Sequence, residues 1–146
     1  MLQVEDRVSI GSSPGVVFRF ASRPQNMPRW IPSVVESRLI GHLRPGATVV
    51  QRVQFFGRQF ETRYTVAVYE PPVRVAYTSL SGPMDIRATM EFEPVPDGTA
   101  VRWSVLGDCR GFVRVPRAVL MGRGRHEMRA ALEALRRLLD AEATEA

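Results

Sequence analysis

From Met84 to Phe92 the chain alternates without a break. Met84, Ile86, Ala88, Met90 and Phe92 fall on one side, and Asp85, Arg87, Thr89 and Glu91 on the other. A period of two places one face of a strand on a dry core and the other in water. Weaker versions of the same period cover 34–40, 47–56, 59–69, 73–80 and 99–108. Turn chemistry separates them: Arg-Pro-Gly at 44–46, Gly-Arg at 57–58, Glu-Pro-Pro at 70–72, Ser-Gly-Pro at 81–83 and Pro-Asp-Gly at 96–98. Breaks this short join sequential antiparallel neighbours, so the pattern predicts a meander of six strands. A seventh is expected at Leu2–Ile10, with Val4, Val8 and Ile10 on one side.

Two stretches depart from period two. Ser13 followed by Pro14 reads as an N-cap and first helical residue, and Val17, Phe18 and Phe20 give the short helix an apolar side. Pro24 ends it, and a second short helix or turn leads to a corner between Pro28 and Pro32. Near the C-terminus Met121, Met128, Leu132, Leu135 and Leu139 form one stripe, widened by Ala131 and Leu138. A helix of roughly 25 residues, about 37 Å long, would carry it. The predicted class is α+β: a curved seven-stranded antiparallel sheet around a long C-terminal helix, with two short helices after the first strand. The helix is the only element large enough to cover the dry face.

Composition narrows the function. A chain of 146 residues, 45% apolar and 24% charged, suits one soluble domain, 1–146. No apolar run approaches the ~20 residues of a membrane span, and the first ten residues lack a signal-peptide pattern. A single cysteine, Cys109, suits a reducing cytoplasm. Two distant histidines, His42 and His126, give no metal constellation, and no cofactor motif is present. All twenty basic residues are arginine. Eight lie between Arg110 and Arg137 against only Glu127 and Glu133, a local charge of +6 in a chain of +5. That face is either a solvated helix surface or a basic strip for a transient contact with an anionic membrane. Few aromatics lie among these arginines, which argues against nucleic-acid binding by stacking.

By alternation, Phe60, Tyr64, Tyr77, Met84, Met90 and Trp103 face the dry side of the sheet, and Met121, Arg125 and Met128 the same side of the helix. The methionines and aromatics suit an adaptable apolar site, and equally a filled core. Each tyrosine hydroxyl needs a partner if buried. Arg125 follows two helix-weakening glycines, 122 and 124, and either reaches inward or snorkels to water. Trp30, on its proline-bounded corner, either plugs the core or guards an opening. Ser12 and Ser13 are assigned to capping. No carboxylate pair or Ser/His/Asp arrangement is evident.

Three segments carry a family likeness: "VSIGSSPGVVFRFASRPQNMPRWIPSV" at 8–34, "YEPPVRVAYTS" at 69–79 and "DGTAVRWSV" at 97–105. In these the chain resembles the START-like, Bet v 1-like (SRPBCC) superfamily with its helix-grip fold, in the polyketide cyclase/dehydrase and lipid-transport branch. The resemblance implies a cavity between sheet and helix with the Pro-x-Trp corner beside its mouth, so Trp30 would wall the pocket. It implies a partner that is a hydrophobic small molecule: a lipid, a quinone or a polyketide-like aromatic. An aldol cyclase or dehydrase is the alternative, but no residue is an obvious base, and binding is favoured over catalysis. An interaction module using the arginine face is the third reading.

Overall fold

The alternating segments become strands because each can bury one face only if its neighbours bury theirs on the same side. The computed structural model describes residues 2–111 and 114–145, with side chains to residue 141. β1 spans Leu2–Ile10, α1 Pro14–Ser22 and a 3₁₀ helix Pro24–Arg29. β2 (Val34–Ile40), β3 (Thr48–Phe55), β4 (Arg58–Glu70), β5 (Arg74–Ser81), β6 (Met84–Val95) and β7 (Gly98–Cys109) follow, then α2 (Arg117–Glu145). The sheet order is β1-β7-β6-β5-β4-β3-β2, antiparallel throughout. This is the meander expected from the short turns, with β1 returning to pair with β7. β6 and β7 run further than their alternation suggested because Pro96 and Asp97 alone make the turn, leaving Val95 opposite Gly98.

α1 begins as expected at Pro14, but Ser13 makes no side-chain cap. Only its carbonyl takes part, accepting from the Val17 amide at 3.0 Å, so the capping role assigned to its hydroxyl is not found. Val17 and Phe18 are buried. The Phe18 ring packs edge-on against Phe92 at 5.1 Å and tilted against Tyr69 at 5.7 Å. Tyr69 reaches that position after the register shift between Val66 and Val68, which brings it onto the inner face.

α2 closes the inner face of the sheet. Met128, Ala131, Leu132, Leu135 and Leu139 are all buried in one core cluster with strand residues such as Val49, Val75 and Val101. Each fully buried leucine contributes about 1.5–3 kcal/mol. The helix approaches the sheet most closely at β1. There a Cβ on Gly124 would meet Val4 Cγ2 at 3.3 Å, so the missing side chain permits the close approach. Gly122 faces open space, and α2 runs unbroken through both glycines.

The turn into β7 has no such latitude. Gly98 has φ 149°, and a Cβ there would lie 2.0 Å from the Ile10 carbonyl oxygen. Gly98→Ala is expected to lower stability by about 3 kcal/mol or more, whereas Gly122→Ala should raise it by about 0.5–1 kcal/mol. Urea unfolding of the two variants beside the parent checks both signs.

Candidate functional site

α2 comes closest to the sheet at β1, and a cavity of about 360 Å³ remains between helix and sheet, bounded at β1 by Leu2 and Val4. The sheet contributes Val49 and Val53 of β3, Tyr64 of β4, Tyr77 of β5, Met84, Ile86, Ala88 and Met90 of β6, and Trp103 and Val105 of β7. The helix contributes Leu120, Met121, Gly124, Glu127 and Met128, and the 3₁₀ corner contributes Met27 and Trp30. Eight of the residues singled out from the sequence therefore share one wall: Trp30, Tyr64, Tyr77, Met84, Met90, Trp103, Met121 and Met128.

Trp30 follows the last turn of the 3₁₀ helix. Its amide and that of Ile31 both donate to the Met27 carbonyl, at 3.2 and 2.8 Å, which turns the chain sharply enough to drop the indole inward. The side chain is 1% exposed and meets Trp103 edge-on at 5.5 Å. It belongs to the packed core and to the cavity wall at once, so the two readings of this corner are not exclusive. Its indole N–H is buried without a partner among the described residues, as is the Thr62 hydroxyl.

The two wall tyrosines differ. The Tyr77 hydroxyl donates to the Ser22 carbonyl at 2.7 Å, tying β5 to the end of α1, and burial pushes its pKa well above the ordinary phenol value. Tyr64 has no such tie among the described residues; burial first, and the nearby Glu127 carboxylate second, push its pKa up to about 12. Gln51 also lines the cavity and is held in place. Its amide donates to Ser37 Oγ at 3.0 Å and lies 3.1 Å from Met27 Sδ.

The wall reaches the surface at exposed Pro32, Gln54 and Arg123. Here the β3–β4 turn carries Phe56 at φ 50° and Gly57 at φ 79°. These are the two positive φ values of a type I′ turn, a conformation a bulky residue adopts only at a cost of order 1 kcal/mol or more. The turn aims Phe56 at its neighbours: its ring packs edge-on against Phe55 at 4.8 Å and lies under the Arg123 guanidinium at 5.0 Å. Strand tip and helix thus meet across the rim.

Two expected wall residues lie elsewhere. Phe60 keeps the inward parity but sits beyond the cavity, against Phe55 at 6.2 Å and under Arg58 at 5.4 Å; Phe55 and Phe56 occupy the wall in its place. Arg125 is exposed. With Gly124 at the centre of the inner face, residues 123 and 125 fall about 100° to either side, so Arg125 points away from the cavity. The same rotation brings in Glu127, which the methionine–leucine stripe alone did not single out. Spacings of four, three and four through Leu120, Gly124, Glu127 and Ala131 carry that signal. Met27 and Gln51 were also not singled out; Gln51 was masked by polarity, and Met27 by its irregular backbone.

Part of the arginine excess is neutralised within the fold. Arg129 pairs with Asp6 at 3.1 Å and with Glu133, and Arg136 pairs with Glu133. Arg114, Arg117, Arg123, Arg125 and Arg137 are exposed.

The Tyr64 phenol keeps its proton in the folded state to higher pH than in the unfolded chain. Its contribution to stability is therefore complete below about pH 10 and is lost as pH rises from 10 towards 12; Tyr77 acts in the same direction. Tyr64→Phe is expected to flatten the alkaline fall in stability, read as urea midpoints at pH 9, 10 and 11. An unchanged slope would show that Tyr64 titrates as it does in water.

The model of one protein family, polyketide cyclase / dehydrase and lipid transport, matches residues 1–140. No functionally curated protein matches the chain. Among solved structures, a START superfamily protein from Mycobacterium smegmatis is similar over 95% of this chain and 97% of its own, with 14% identity and a TM-score of 0.82. A protein from Thermus thermophilus is similar over 97% and 99%, with 15% identity and the same TM-score. A Nitrosomonas europaea protein is similar over 98% and 97%, with 21% identity and a TM-score of 0.77. At these identities the structures show the shared helix-grip fold. The family model spans nearly the whole chain, which belongs to the polyketide cyclase / dehydrase and lipid transport family.

Proposed function

We propose that the chain binds a hydrophobic small molecule, a lipid, quinone or polyketide-like aromatic, in the cavity between α2 and the sheet. One observation carries this reading. Of six methionines, the five after Met1 all line that cavity: Met27, Met84, Met90, Met121 and Met128. They come from the 3₁₀ corner, β6 and α2, and thioethers repack around varied apolar shapes. A solid core would be expected to continue the leucines of the C-terminal half of α2. The volume lies at the small end of the range for ligand sites. Ala88 stands on the wall, so Ala88→Phe should fill the cavity from β6. Binding of the neutral fluorescent probe N-phenyl-1-naphthylamine is expected to weaken at least about tenfold while the melting temperature stays within a few degrees. Unchanged probe affinity would place binding elsewhere.

A second reading, an aldol cyclase or dehydrase on the same fold, is favoured by Glu127. It supplies the carboxylate such proton transfer needs, on the same wall as the Tyr64 hydroxyl.

The rim bears on how a water-insoluble ligand would be collected. Among the described residues no helix is long and apolar enough to cross a membrane. At the start of α2, exposed Arg114, Arg117, Arg123 and Arg125 accompany Val119, which is 49% exposed. This combination supports a transient contact with an anionic bilayer, at roughly 1 kcal/mol per arginine near the surface. Co-sedimentation with phosphatidylserine-containing vesicles at low salt is expected, with little at 0.5 M salt and little with neutral vesicles. Equal binding to neutral and anionic vesicles, or none to either, would leave the arginines a solubility feature.

A further inference from the structure

We infer that the cavity selects a neutral ligand bearing an acceptor oxygen, a ketone or quinone carbonyl, and discriminates against carboxylates. The inference rests on the binding reading above and names the ligand chemistry of that site.

The first observation is a surplus of donors. The Trp30 indole N–H and the Thr62 hydroxyl belong to wall residues that are 1% and 2% exposed, and neither atom has a hydrogen-bond partner among the described residues. An indole N–H donates only. A buried donor left unpaired is costly, and groups of this kind are ordinarily satisfied in a folded protein. Tyr64 adds a third donor: burial and the Glu127 charge both favour its protonated form. Of the other buried polar side chains on the wall, Tyr77 is held by Ser22 and the Gln51 amide nitrogen donates to Ser37. The two orphaned groups can both donate, which a carbonyl oxygen complements and a hydrocarbon does not.

The second observation is the sign of the charge. Among the described residues the wall carries one carboxylate, Glu127, and one cation, Arg123. Arg123 is exposed at the rim and directed over the Phe56 ring, whereas Glu127 is close enough to Tyr64 to act on it. No ion pair engages Glu127 among the described residues. A ligand carboxylate would lose its hydration and meet a like charge in a medium that screens poorly. A neutral carbonyl meets neither penalty.

Three probes of one shape separate these terms: 2-acetonaphthone, its isostere 2-isopropenylnaphthalene, and 2-naphthoate. Calorimetric titration at pH 8 gives their affinities. The parent is expected to bind the ketone at least about tenfold more tightly than the naphthoate. In Trp30→Phe, which keeps an aromatic ring and loses the N–H, the ketone-to-alkene affinity ratio should fall about tenfold. Thr62→Val provides the same readout if Trp30→Phe does not fold. In Glu127→Gln the ketone-to-naphthoate ratio should fall about tenfold. Naphthoate binding as tightly as the ketone in the parent overturns the charge argument. A ketone-to-alkene ratio unchanged in both donor variants overturns the donor argument. If none of the three probes binds, the cavity reading falls and this inference with it; if all three bind alike, only the inference falls.

Discussion

The fold depends on where one helix touches one strand. α2 has a single apolar stripe and must lay it on the sheet, but it comes closest at β1, an edge, where Gly124 lets it settle onto Val4. A helix seated at the edge of a curved sheet cannot fill the whole hollow. The stripe changes character to suit. Leu132, Leu135 and Leu139 are buried away from the cavity, while Met121, Gly124 and Met128, earlier on the same helix, line it, Met128 belonging to the core cluster as well. The tightly packed half and the cavity-lining half are thus successive segments of one surface, and the first supplies the burial that lets the second stay hollow.

The polar groups of the inner face differ in how far the fold satisfies them. Tyr77, itself on the cavity wall, is held by the Ser22 carbonyl, and Thr99 donates to the Ser12 carbonyl at 2.7 Å. Both bonds pin the α1 region to the sheet and do structural duty. Trp30 and Thr62, on the same wall, lack partners among the described residues, and Tyr64 stands near a carboxylate. Of the three buried side-chain polar atoms left without a partner among the described residues, two belong to the cavity wall, and the third is Arg110 Nε.

The rim adds a second constraint. Phe56 is held in a left-handed conformation, and its ring bridges to Arg123. The backbone cost is local, and the contact joins the β3–β4 turn to the helix across the entrance. Ligand passage would have to part that contact or pass beside it, so entry and the arginine-bearing first turns of α2 share one end of the molecule.

Strand periodicity, turn chemistry and the helical stripe are local properties, and the sequence by itself determined them: seven strands, a short helix after the first, one long helix, and a meander that could only be antiparallel. The same alternation placed Tyr64, Tyr77, Met84, Met90 and Trp103 on the inner face, because side chains on a strand have only two sides to choose from. Three things were decided by tertiary structure. Parity cannot say how far along a strand the cavity extends, so Phe60 passed for a wall residue although it lies beyond the void. A stripe of large side chains does not fix the helix rotation, since Gly124, which sets it, has no side chain to signal it; hence Arg125 was expected inside and Glu127 was not. Hydrogen-bond satisfaction is a property of partners distant in sequence, Tyr77 with Ser22 among them. Only the assembled fold separates the hydroxyl already engaged from the indole and threonine groups left without a partner among the described residues.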